Sequence, residues 1–486
     1  MNTNRLFHME HKLAILCAVS AILAGGAEPL YGEANSKQTK DSPALPSANP
    51  QETAVEQISP ATENEETARL INLGLQDTLL GYTSRARSYY KRALETEPNS
   101  ALALCGLMLL EQNNRADYSA QLKKLTETVN SPEFAATPEE LFYVETFLKL
   151  ISGDVKGAAE DFKNYSEKYR ADVLSACWAA MLLHTADAKE ARDYVGRLAA
   201  HHEEHPLVLY MRALVEEKSE QISDEAIKSV ATAAAQLPHP MIYHLHGHLL
   251  FMSGKFPEAA KMFHVERNAL SQDLKKYQLE QNDTFELHCA GLYEATALTQ
   301  SKKFGDALRL RKSMSKLRSL SCEVTGRGDV LYRWEVMTLP MRTLLLRPEV
   351  PSADAIRAAY AAAVPHETLL DDEPVKDFVE CLNCALQIRA LCADKRFKTA
   401  AAVLQKAEKA LERLHVPHET YSRRSITWKL CFKRALDCAE TAVNISKAEV
   451  YRSSAELWTE KVNSAIQIQP RMLPPMILKY SSKVKK

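Results

Sequence analysis

The sequence predicts an all-α protein, an α–α superhelix of stacked helical hairpins that lengthen in the C-terminal half. Three observations predict it. Apolar residues recur at helical spacing from Thr67 onward, interrupted by short turns. Only 15 glycines and 7% aromatic residues argue against an all-β chain, which needs turn glycines and aromatic strands. Alanines recur at 86, 120, 158, 191, 226, 259 and 307, with separations of 34, 38, 33, 35, 33 and 48. A chain of 486 residues is also too long for one compact core and suits two or three domains or one repeat array. The formal net charge of −1 supplies no field to draw in nucleic acid.

Residues 1–27 read as a signal peptide. Arg5 and Lys12 precede the apolar run Leu13–Leu23, and Ala24-Gly25-Gly26-Ala27 supplies small residues for cleavage. The run is too short to span a bilayer, so no transmembrane segment is expected in the mature chain. Leu16 stands before Cys17 where a lipoprotein signal has a small residue, so no lipid anchor is expected. Residues 28–62 carry prolines at 29, 43, 46, 50 and 60 among Ser, Thr, Glu and Gln. That composition predicts a disordered linker, because it offers no apolar face to offset the ordering entropy.

Residues 63–320 read as hairpin repeats. In the first, Leu70, Leu73 and Gly74 share one helix, Ala86, Tyr90 and Ala93 the next, and Pro98 closes the unit. Small residues belong where helices approach closely, with large ones filling the flanking holes. A second clear copy, 240–271, has Tyr243, Gly247, Gly254, Phe256, Ala259 and Phe263. Weaker copies keep Gly153, Ala158 and Phe162; Trp178 and Ala191; Tyr210, Ala226 and Ala233; Phe304 and Ala307. Residues 321–350 hold Gly326, Gly328, Pro340 and Pro348 and predict an irregular connection or hinge, or an irregular repeat with a kinked helix. Residues 351–470 repeat the pattern more loosely, around Phe397, Ala400 and Ala407, and 471–486 form a basic tail.

These spacings resemble the tetratricopeptide repeat (TPR), a helix–turn–helix unit of about 34 residues. The resemblance is good over about 65–310 and loose over 350–470. It implies a right-handed solenoid whose first helices line a concave groove for a protein or peptide partner. On that pattern the groove residues are Tyr143, Phe147, Met211, Val215, His244 and His248. Packing between helices is the competing reading of Tyr143 and Phe147. The Lys and Asn clamp of chaperone-binding members is absent; the equivalent positions are Ala68, Ile71 and Leu75.

Other patterns carry weaker chemistry. His201, Glu204 and His205 spell H-x-x-E-H, an inverted zinc-protease signature, but at the end of a second helix before Pro206. His244 and His248 are one helical turn apart and could share a metal, yet no third ligand is evident, so no metal is assigned. Nine cysteines follow the signal; Cys381 and Cys384 form a CxxC inside a helix without a βαβ context, and most read as small interior residues. In an oxidising compartment Cys381 with Cys384, or Cys431 with Cys438, would be the pairs in reach. Arg327-Gly328-Asp329 is too short to carry a function by itself. There is no Walker loop, GxGxxG or GxSxG.

The expectation is therefore an exported, non-catalytic scaffold that binds a protein or peptide, with no cofactor and no catalytic or metal residues, in the periplasm of a bacterial envelope or beyond it. The alternatives are an envelope glycan-binding repeat protein, against which the chain has only Trp178, Trp334, Trp428 and Trp458 for stacking on sugars, and a zinc-dependent hydrolase using His201, Glu204 and His205.

Overall fold

The computed structural model describes residues 54, 56–110, 115–131, 134–217, 219, 222–279, 284–314, 332–364, 373–415 and 426–452. The expected signal peptide, most of the linker, the Arg327-Gly328-Asp329 tripeptide, Trp458 and the basic tail lie outside them. The described residues form nineteen α-helices and one π-helical turn, with no strand, and consecutive helices pack in pairs. The chain divides into two compact units, one ending at Leu287 and one beginning at His288.

The first unit holds twelve helices: α1 (Glu65–Leu80), α2 (Thr83–Thr96), α3 (Ala101–Leu110), α4 (Arg115–Asn130), α5 (Pro138–Ile151), α6 (Val155–Lys168), α7 (Val173–Ala186), α8 (Ala188–His201), α9 (Pro206–Glu216), α10 (Asp224–Gln236), α11 (Pro240–Met252) and α12 (Phe256–Lys276). Their starts follow from the sequence. Asn64, Thr137, Asp154, Asp172, Asp187 and Ser223 each cap a helix by accepting a first-turn amide. Pro138, Pro206 and Pro240 sit in first turns, where their missing N–H costs nothing. Between paired helices the chain reverses through a left-handed residue: Gly81 (φ 87°), Gly153 (83°) and Gly254 (75°).

The expected close approaches are present. A Cβ on Gly74 would lie 2.6 Å from the Tyr90 ring, and one on Gly106 would lie 2.3 Å from it. Tyr90 thus wedges between α1 and α3. Gly247 meets the Phe263 ring in the same way at 2.6 Å. Ala86, Ala158, Ala191, Ala226 and Ala259 are buried as their spacing requires. Ala120 is not; it is exposed, so the interior of α4 is carried by Leu125 and Thr128 instead.

The first hairpin departs from a solenoid, in which each repeat meets only its neighbours. Eleven of the sixteen residues of α1 are buried, although a terminal repeat would keep a polar outer face. Asp77, near the end of α1, binds the Arg85 guanidinium with both oxygens (2.6 and 2.8 Å) and also meets His239 Nε2 at 3.0 Å. Arg85 continues to Asp273 at 2.9 Å and lies over the Tyr82 ring. Tyr89 meets Tyr277 edge-on. The start of α2 has no local side-chain cap; Glu286 accepts the Thr83 N–H (2.9 Å), the Thr83 hydroxyl (2.7 Å) and the Ser84 hydroxyl (3.1 Å). Burial alone would raise the Asp77 carboxyl, but Arg85 and His239 outweigh it and hold it below the usual range. The first hairpin is therefore tied to the last hairpin of its unit.

The second unit contains most of α13 (Phe285–Gln300), then α14 (Phe304–Met314), α15 (Leu339–Leu346), α16 (Ala353–Ala363), α17 (Glu373–Ala393), α18 (Phe397–His415) and α19 (Ile426–Arg452). The expected lengthening of hairpins is seen in α17 and α18, which run 21 and 19 residues, but not in α14, α15 and α16, which run 11, 8 and 11. In the turns of this unit Lys302 (φ 61°) and Lys395 (φ 58°) occupy the left-handed position that glycine holds earlier. The stretch expected as an irregular connection is largely helical from Tyr332 onward. A π-helical turn (Tyr332–Val336) leads into α15, and Leu292, Met314, Val336 and Met337 form one apolar cluster. Arg389 reaches from α17 to the carbonyls of Leu344, Leu345 and Pro348, which the end of α15 leaves open.

Candidate peptide-binding site

The last residues of the expected linker are not a free tether. Residue 54 and residues 56–62 lie against the first unit, and side chains alternate between inward and outward positions. Ala54 and Ile58 are buried, Glu56 is part-buried, and Gln57 and Ser59 are exposed. Period-two alternation is what an extended chain on a surface produces.

The main chain of this segment is held by side chains. Asn72, 3% exposed on α1, accepts the Ile58 N–H at 2.8 Å and donates to the Ile58 carbonyl at 3.1 Å. Its second amide proton goes to the Ala68 carbonyl at 2.9 Å, so the carboxamide is fixed by its own helix. Glu139 accepts the Ser59 N–H (2.9 Å), and the Thr137 hydroxyl donates to the Ser59 carbonyl (2.8 Å). Glu140 accepts the Ala61 N–H (2.7 Å), and Thr62 N–H turns back to the Pro60 carbonyl (2.8 Å). Pro60 has no N–H to place, so every backbone N–H from Ile58 to Thr62 is satisfied. One side chain is also read. His205, at the start of α9, meets Glu56 Oε1 at 2.7 Å through Nε2. Burial pushes the Glu140 carboxyl up, and the Ala61 and Leu102 amides oppose that rise.

The six residues expected to line the groove are all buried, between 0% and 5% exposed, and so form no open face. Packing explains each. Tyr143 and Phe147 belong to an aromatic cluster with Phe162 and Trp178, with Phe147 and Trp178 rings 5.1 Å apart. Met211 and Val215 lie in the interior of α9. His244 Nδ1 lies 2.8 Å from Glu266, His248 Nδ1 lies 3.3 Å from Glu217, and the two rings are 4.4 Å apart. Burial, with His244 alongside, holds His248 well below the usual imidazole range.

The remaining patterns resolve as follows. His201 and Glu204 are exposed and His205 turns to Glu56; among the described residues no three His, Cys, Asp or Glu side chains are placed to hold a metal. Cys381 and Cys384 are buried, as are Cys105, Cys177, Cys289, Cys392 and Cys438, and burial pushes the Cys384 thiol up to about 12. Trp178 and Trp334 are buried and offer no face for a sugar to stack on. No described helix is long and apolar enough to cross a membrane.

Asn72, Thr137, Glu139 and Glu140 escaped the sequence reading. The one local signal is Asn72 itself, a carboxamide on the buried stripe of the run Leu70–Leu75. No protein-family model, curated protein or solved structure matches the chain.

Proposed function

We propose that this chain is an exported, non-catalytic helical-repeat scaffold of the tetratricopeptide type that binds an extended segment of a protein partner. The observation that carries the reading is the capture of consecutive main-chain groups of residues 58–61 by Asn72, Thr137, Glu139 and Glu140. Side chains that bind backbone groups recognise an extended chain as such, and flanking pockets add selectivity. The buried alanines at near-34-residue spacing and the glycine–aromatic wedges support the repeat type. The export signal read in residues 1–27 supports the location. The binding surface on this reading is the face of α1 and the starts of α5 and α9, not the buried Tyr143–His248 set.

A displayed library of random decapeptides tests the reading. The bait is the full chain carrying Glu56→Lys and Ile58→Asp, which weaken its own segment and leave the site intact. Peptides enrich on this bait, and enrichment disappears when Asn72→Ala is added. Absence of enrichment, or enrichment that ignores Asn72, contradicts it.

A further inference from the structure

We propose that residues 54–62 are a resident ligand of this site, and that the partner segment which displaces them carries an acidic side chain two residues before an aliphatic one. The inference rests on the peptide-binding reading above and names the occupant and its competitor.

Three observations carry it. First, the pattern is written in the resident segment. Ile58 is buried with both its backbone polar groups on Asn72, and Glu56, two residues earlier, meets His205 at 2.7 Å. The acid-binding position is an imidazole at the start of α9, where the helix end also favours negative charge. Second, selectivity for backbone is built in. Glu139 and Glu140 accept main-chain N–H groups at positions 59 and 61, so a proline is admitted at 60 but not at its neighbours. Third, the segment lies close to α1 in sequence. Only Glu63 and Asn64 separate them, and among the described residues it is held by these side-chain contacts, by the Thr62 hydroxyl donating to Glu97, and by the buried Ala54 and Ile58.

A tethered ligand competes with a local concentration on the order of millimolar. A partner with the same contacts then binds the intact chain much more weakly than a chain whose own segment is disabled. The occupied site thus raises the threshold for weak partners.

A synthetic peptide of residues 53–62 (TAVEQISPAT), fluorescently labelled, is titrated by anisotropy into the intact full chain and into the Glu56→Lys/Ile58→Asp full chain. Circular dichroism compares their helix content. The double variant keeps its helices and binds the peptide about tenfold or more tightly than the intact chain does. N-methylation of the Ser59 amide removes binding. A peptide with Lys in place of Glu at position 56 binds weakly, and a Glu56→Gln/Ile58→Asp/His205→Glu chain, whose own segment offers the new carboxylate no cation at position 56, restores its binding. Loss of helix content in the double variant, or absence of binding with helix content unchanged, shows that the segment is a fixed part of the fold and overturns the proposal. Equal binding to both chains also overturns it, because the site is then not occupied in cis. If the displayed library enriches peptides without an acidic residue two before an aliphatic one, the peptide-binding reading stands and this proposal falls.

Discussion

A carboxamide that binds both the N–H and the C=O of one residue fixes that residue's main chain whatever its side chain. Asn72 does this to Ile58 while its own helix holds it in place. Asn72→Ala leaves two backbone groups without partners, and about 1–3 kcal/mol of stability should be lost from the first unit in denaturant unfolding. Unchanged stability would mean that the segment contributes nothing to the fold. In the second unit Glu449 is pushed up to about 7 by burial, against the opposing charge of Arg389. Its folded form keeps a proton that the unfolded chain releases near 4.5, so stability falls as pH rises from about 4.5 to 7. Glu449→Gln should therefore raise the melting temperature at pH 7.5 and leave it unchanged near pH 4.5. Little of this was legible in the sequence. Asn72 and Glu449 look like ordinary polar residues until the chain brings their partners to them from 14 and 60 residues away.

At the scale of the element, legibility was far better, because helix signals are local. The caps at Asn64, Thr137, Asp172 and Ser223 and the prolines of first turns mark starts that lie within a few residues of each other in sequence. The glycine–aromatic spacing also survived, since Gly74 with Tyr90 and Gly247 with Phe263 pack as the repeat spacing expects. Gly247→Ala places a methyl group 2.6 Å from the Phe263 ring, and overpacking of that kind costs about 1–3 kcal/mol. The companion change Phe263→Leu should recover part of the loss, which a double-mutant cycle measures directly. What failed at this scale failed for identifiable reasons. Ala120 is exposed because α4 turns Leu125 and Thr128 inward instead, and the period gave position without rotation. The residues from Tyr332 allowed either a hinge or an irregular repeat with a kinked helix; the described part is largely helical, and Pro340 sits in the first turn of α15, where proline is tolerated.

At the scale of the whole molecule, the long-range ties of the first hairpin had no counterpart in the sequence reading. Asp77, Arg85 and Glu286 link it to residues up to 203 positions away. Such ties follow from three-dimensional return of the chain, and no window of sequence contains them. The same unit also covers histidines. His239, His246 and His248 are all held below the usual imidazole range by burial, His246 down to about 4. Neutral in the folded state, they take up protons on unfolding once pH drops below about 6.5. The first unit should lose stability steadily from pH 6.5 to 4, and His246→Asn should flatten that decline in a melting series. A melting temperature indifferent to pH over that window would contradict the burial of these rings.

The most direct test of the central claim is amide hydrogen exchange on the intact full chain, with and without excess unlabelled TAVEQISPAT peptide. The amides of Ile58, Ser59 and Ala61 should be protected in the chain alone and should exchange faster once the peptide displaces them, while α1 stays protected. Amides at 58–61 that exchange freely from the start, or that keep their protection at saturating peptide, would contradict the account.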